Sequence, residues 1–81
     1  MSPEEIALSA GLSPGEFSAF YLACQGQDAA GVSLRLGISL GAARMRLCRA
    51  GKRLREVRRH QEASAELDEL LSLLESVLEK R

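Results

Sequence analysis

At 81 residues, 46% of them apolar and 27% charged, the chain has a globular composition with room for one small core, which excludes a disordered segment. No apolar run approaches the ~20 residues of a membrane span. The opening Met1-Ser2-Pro3-Glu4-Glu5 lacks the basic and apolar stretches of a secretory signal, so a cytoplasmic location is expected. Cys24, Cys48 and the single histidine His60 are too few and too far apart for a zinc site, so no metal is expected and the thiols read as free and at least half-buried.

Helix punctuation sets out the elements in chain order. Ser2-Pro3-Glu4-Glu5 supplies an N-cap, a proline at the first helical position and a glutamate three residues after the cap, predicting a short helix to about Ala10 that stops at Gly11. Ser13-Pro14-Gly15-Glu16 repeats that signature and starts a second helix, with Phe17, Phe20, Tyr21 and Cys24 at helical spacing and a stop near Gly26. Asp28 caps a third, short helix through Val32 and Leu36, closed by Gly37. Ser39 caps a fourth, whose inward stripe is Ala43, Leu47, Ala50, Leu54 and Val57.

After Gly51 the chain has no glycine or proline, so helix should continue to near its end. Extending the first stripe beyond Val57 meets only polar residues, Gln61, Ser64, Asp68 and Glu75. A second stripe, Ala63, Leu67, Leu70, Leu74 and Val77, is offset from it by about one residue, which predicts a bend around Arg58–Ser64 and a fifth helix over about 61–80. Nothing alternates in the manner of a strand. The expected class is all-α: a four-helix domain over residues 1–57 and a leucine-rich amphipathic helix over 58–81.

The formal charge of zero conceals three blocks. Residues 31–60 hold Arg35, Arg44, Arg46, Arg49, Lys52, Arg53, Arg55, Arg58 and Arg59 against Glu56 alone, a charge of +8. Residues 1–30 carry four acids, and residues 61–81 carry six acids against Lys80 and Arg81, so each block stands at −4. A positive segment beside two closely connected short helices is the electrostatic footprint of a nucleic-acid binder. The competing sink for that charge is internal, with the acidic fifth helix folding back on the basic fourth or pairing with it across a dimer.

The segment from Asp28 to Leu47 has helix-turn-helix architecture: Gly37 permits the tight turn, Ile38 fills the space between the helices, and small Ser33 and Ala43 let them approach. Around it stand Leu12-Ser13-Pro14-x-Glu16, Leu36-Gly37-Ile38-Ser39-x-Gly41 and Arg46-Leu47-x-Arg49-Ala50-x-Lys52-x-Leu54-Arg55-Glu56. Over about residues 3–57 this pattern resembles the fourth conserved region of bacterial sigma factors, most closely the extracytoplasmic-function type. The resemblance implies a sigma region-4-like domain that binds double-stranded promoter DNA in the major groove and touches the flap of RNA polymerase. By position it implies that Ser39, Leu40, Gly41, Arg44, Met45 and Cys48 face the bases, and that Arg35, Arg46, Arg49, Lys52 and Arg53 meet phosphates. The chain departs from the family at Gly31, where a glutamate is usual, and at Leu34, Leu40, Ala42 and Ala43, which are more apolar or smaller than is usual.

Leu67, Leu70, Leu71, Leu74, Val77 and Leu78 cover more of the fifth helix than a narrow seam needs. They either fold back on the small core or serve both that core and a second chain, and the small core favours a homodimer. The expected function is a sequence-preferring, DNA-binding transcription regulator acting as a dimer, with no cofactor. The alternative is a protein-interaction module that mimics sigma region 4, docking on RNA polymerase or a sigma-binding regulator without reading DNA. No nucleophile stands beside a base and no glycine-rich phosphate loop is present, so an enzyme is not expected.

Overall fold

A computed structural model describes residues 3–60 and 65–79, with side chains over 4–57 and 65–79. Five helices account for the regular structure, and no strand occurs among the described residues: α1 (Pro3–Ala10), α2 (Pro14–Cys24), α3 (Ala29–Leu36), α4 (Leu40–His60) and α5 (Ala65–Glu79). The Ser2 cap, most of the expected bend, and Ala63 at the head of the second stripe lie outside the described residues.

Helix ends follow from local chemistry. At the start of α2 the Ser13 hydroxyl accepts the Glu16 N–H at 3.2 Å while the Glu16 carboxylate accepts the Ser13 N–H at 3.0 Å, so two otherwise orphaned donors are satisfied reciprocally. Asp28 accepts the Gly31 N–H at 2.8 Å to start α3, and Ser39 accepts the Ala42 N–H at 3.1 Å to start α4. Helices α1, α2 and α3 all stop on a left-handed glycine, Gly11, Gly26 and Gly37. After α3 the Ser33 hydroxyl donates to the Ile38 carbonyl, which pins the three-residue connection to α4.

Each of the other four helices packs on α4. The stripe Ala43, Leu47, Ala50 and Leu54 is wholly buried, with Val57 half-buried beyond it. Phe20 and Ala19 come in from α2, Val32 from α3, Ile6 and Ala7 from α1, forming one core. For α2 the inward line is Glu16, Ala19, Phe20 and Ala23, shifted from the expected aromatic line. Tyr21 instead lies at the surface, stacked on Phe17 with ring centroids 6.3 Å apart. The alanines bring α2 close to α4, where a face of larger side chains would hold it off.

Helix α5 folds back antiparallel along α4. Leu67, Leu71, Leu74 and Val77 are buried in the same core as the α4 stripe, with Leu70 and Leu78 partly buried against it. Most of the leucine-rich face therefore packs on the chain's own core, as both expected arrangements require, and Leu70 and Leu78 at its margin keep part of their surface. The radius of gyration, 11.6 Å, matches the about 12 Å expected of 81 residues packed as one body. Gly51 marks the close approach: it is buried, and a Cβ there would lie 3.8 Å from a Leu74 methyl.

That distance is ordinary van der Waals contact, so Gly51→Ala should raise stability by up to about 1 kcal/mol through helix propensity. Leu74→Ala should lower it by about 2–5 kcal/mol through lost burial and a residual cavity. Urea midpoints of the two variants, moving in opposite directions from the parent, check both; a destabilised Gly51→Ala would mean that α4 and α5 pass closer than this geometry has them.

Candidate nucleic-acid interface

With its inward stripe committed to the core, α4 turns a second stripe outward. Gly41, Met45, Cys48 and Lys52 recur at steps of four, three and four, and all are exposed. Arg49, Lys52 and Glu56 continue that surface toward the helix end. The outer face is thus small and apolar over its first two turns and cationic beyond them.

Five of the six residues expected to face bases share this exposed end of α4. Ser39 accepts the Ala42 N–H as the helix cap, so its hydroxyl is oriented by the first turn. Leu40 is 48% and Met45 54% exposed, Cys48 is exposed, and a Cβ on Gly41 would meet nothing within 4 Å. Arg44 is the exception. It is half-buried, and its Nη2 donates to the Leu78 carbonyl at 2.7 Å. That carbonyl belongs to the last turn of α5, where intrahelical partners run out and positive charge is favoured. Arg44 therefore faces α5 and does not join the other five.

The residues expected at phosphates separate similarly. Arg49 and Lys52 are exposed on α4, and Arg35 is exposed in the last turn of α3 beside a shallow groove of Phe17, Tyr21, Leu22 and Leu36. Arg46 is half-buried, its guanidinium against Gly15, where an added Cβ would sit 3.2 Å from Cζ. Arg53 donates from Nε to Glu16 Oε1 at 2.9 Å. Arg49, Lys52 and Arg53, with Glu16 and Glu56, line a cleft of about 320 Å³ between the first turn of α2 and the middle of α4.

The acids of α5 leave this surface open. Glu66, Asp68, Glu69, Glu75 and Glu79 are exposed, and Arg55–Glu75 pairs α4 with α5 at 3.9 Å between half-exposed side chains. Such a pair contributes little. Arg55 shares the α5-facing flank of α4 with Arg44 and Gly51, at seven- and four-residue steps; it lies one turn beyond Lys52 and on the other side of it from Arg49. Among the described residues Arg49 and Lys52 make no ion pair.

Glu16 was legible in the sequence only as a cap. Its carboxyl is held below the usual 4.5 foremost by the Ser13 backbone N–H, with the Arg53 charge reinforcing this against the opposing effect of burial. Cys24 and Cys48 differ as well. Burial, with Glu4 adding, pushes the Cys24 thiol up to about 11, so it stays protonated at neutral pH. The expectation of two covered thiols fails at Cys48, which falls on the outward stripe of α4. Among the described residues no cluster of metal-ligating side chains occurs, and no helix is long and apolar enough to cross a membrane.

Comparison with family profiles, with curated protein sequences and with solved structures returns no match to this chain. The likeness to sigma region 4 therefore stands on its motif residues.

Glu16 titrates at lower pH folded than unfolded, so its contribution to stability is present at neutral pH and lost as pH falls below about 4.5. Glu16→Gln should lower the urea midpoint at neutral pH and flatten its fall as pH drops below about 4.5. Parallel profiles for parent and variant would show that Glu16 contributes nothing to the acid sensitivity of the fold.

Proposed function

We propose that this chain is a DNA-binding transcription regulator in which α3, the Gly37-Ile38-Ser39 turn and α4 form a helix-turn-helix of the sigma region-4 kind. The observation that carries this is the uncovered outer face of α4, where exposed Arg49 and Lys52, without acid partners among the described residues, continue the line of Gly41, Met45 and Cys48. A helix about 10–12 Å across fits a major groove about 12 Å wide, and cations along its flank position it on phosphates. Arg44 is drawn toward the Leu78 carbonyl and is half-buried, so guanine recognition by that arginine would require its guanidinium to turn from α5. Base contacts fall to the Ser39 hydroxyl and to Leu40 and Met45, whose apolar side chains suit thymine methyl groups. With Leu67, Leu71, Leu74 and Val77 buried in the chain's own core, a homodimer contact on α5 would fall to the partly buried Leu70 and Leu78.

DNA affinity across a salt series should fall with a slope of about −0.9 per neutralised phosphate, and Arg49→Ala with Lys52→Ala should reduce that slope by about 2. Alkylation with a bulky maleimide should strike exposed Cys48 ahead of Cys24 and abolish duplex binding by filling the groove-facing side. A labelled chain that still binds DNA with unchanged salt dependence would remove α4 from the groove.

One observation favours the second class. Leu34 is 83% exposed, and with Leu40 and Met45 it leaves three large apolar side chains uncovered around the α3–α4 connection. In a sigma-region-4 mimic these would dock on RNA polymerase or a sigma-binding regulator. Binding to such a partner without any salt-dependent DNA affinity would decide for that class.

A further inference from the structure

A shallow groove between α2 and α3 combines a fixed apolar lining with one charge. Phe17, Ser18, Tyr21 and Leu22 form one wall and Arg35 and Leu36 the other, around about 300 Å³, the lower end of the range for small-molecule sites. Phe17, Leu22 and Leu36 pack on the core from beneath, so most of the apolar lining is in place before anything binds. The Tyr21 ring lies only 11° from parallel with that of Phe17, one turn away, which extends the same wall to the surface.

The polar groups narrow the ligand. Ser18 donates its hydroxyl hydrogen to the Pro14 carbonyl at 2.9 Å, which leaves its oxygen able only to accept. Arg35 is the one charged side chain among the described residues of the lining; it is exposed and makes no ion pair among them. It stands in the last turn of α3, whose negative end opposes an anion with about half a charge, and the full charge of the guanidinium outweighs that. A planar fork of paired N–H groups matches the two oxygens of a carboxylate. Length matters too. From Phe17 to Leu22 the wall advances about 7.5 Å along α2, enough for an aromatic ring, whereas the anchors of a docked helix at i, i+4 and i+7 need about 10 Å.

We propose that this groove binds a small aryl carboxylic acid, with its ring against Phe17, Tyr21, Leu22 and Leu36 and its carboxylate paired with Arg35. The site does not rest on the DNA-binding role proposed above, and none of its lining residues lies on α4.

The chain has one tyrosine and no tryptophan, so its intrinsic fluorescence reports on Tyr21 itself. The test titrates the full chain with hydrocinnamate at constant ionic strength, following that fluorescence and the Arg35 Nε–Hε resonance by NMR. Both signals should change saturably with one midpoint, at roughly millimolar concentration for so small a probe. Hydrocinnamyl alcohol, which keeps the ring and lacks the charge, should bind roughly fivefold more weakly. Propionate, without the ring, should leave the fluorescence unchanged. Arg35→Gln, at an exposed position, should abolish the preference for acid over alcohol, whereas Arg49→Gln, on α4, should keep it. Tyr21→Ala, followed by the Arg35 resonance, should weaken acid and alcohol alike. Non-saturating changes, equal affinity for acid and alcohol, or a preference that survives Arg35→Gln would overturn the site. Signals that move when the protein alone is diluted would assign the groove to a second copy of the chain. Signals that respond only to an acidic helical peptide would assign it to a protein partner, and either result overturns the small acid as occupant.

Discussion

A single helix is packed by all the others, and the whole arrangement depends on how α4 accommodates them. Its inward stripe alternates small and large, Ala43, Leu47, Ala50 and Leu54, and all four are completely buried. The alanines let neighbouring helices come close while the leucines fill the gaps between them, the combination that dense packing requires. Gly51 extends the same economy of volume to the flank where α5 lies against Leu74. Because one side of α4 meets every demand of the core, the opposite side is released to carry charge without a structural penalty.

The release is directional. Helix α5 docks by its leucines on the flank that holds Arg44, Gly51 and Arg55, and its acids stay at the surface. A chain with no formal net charge thereby keeps exposed cations at Arg49 and Lys52, because the described acids of α5 lie on another flank and fields between exposed charges fade beyond a Debye length of about 8–10 Å. Had the apolar stripe of α5 been rotated by one residue relative to its glutamates, the same composition would have put carboxylates closer to those cations.

What was legible in the sequence was local. Ser13 with Glu16, Asp28, Ser39 and the three stopping glycines act within a few residues, so caps and helix limits could be placed from spacing. The α4 stripe was legible because a 3-4 rhythm over 15 residues has one structural solution. The inward line of α2 was not, since Ala19 and Ala23 carry little apolar weight beside Phe17 and Tyr21, yet close packing selects them. Nor could spacing reveal that Glu16 meets Arg53 across 37 residues or that Arg44 meets Leu78 across 34. The interface shared that limit. Leu40, Gly41, Met45 and Cys48 were singled out by the resemblance to sigma region 4, and all four are exposed, but the fate of Arg44 and Arg53 depended on which helices come alongside. The leucines of α5 suited this core alone or this core together with another copy, and the packing shows which of them the core takes: Leu67, Leu71, Leu74 and Val77.

The hydrogen bond from Arg44 to the Leu78 carbonyl ties the tail end of α5 to the opening turns of α4. Any fluorophore or affinity handle joined beyond Glu79 is consequently tethered near the exposed end of the fourth helix, although it is attached far downstream in the chain. Such an attachment is a proximity reporter for whatever settles against that end.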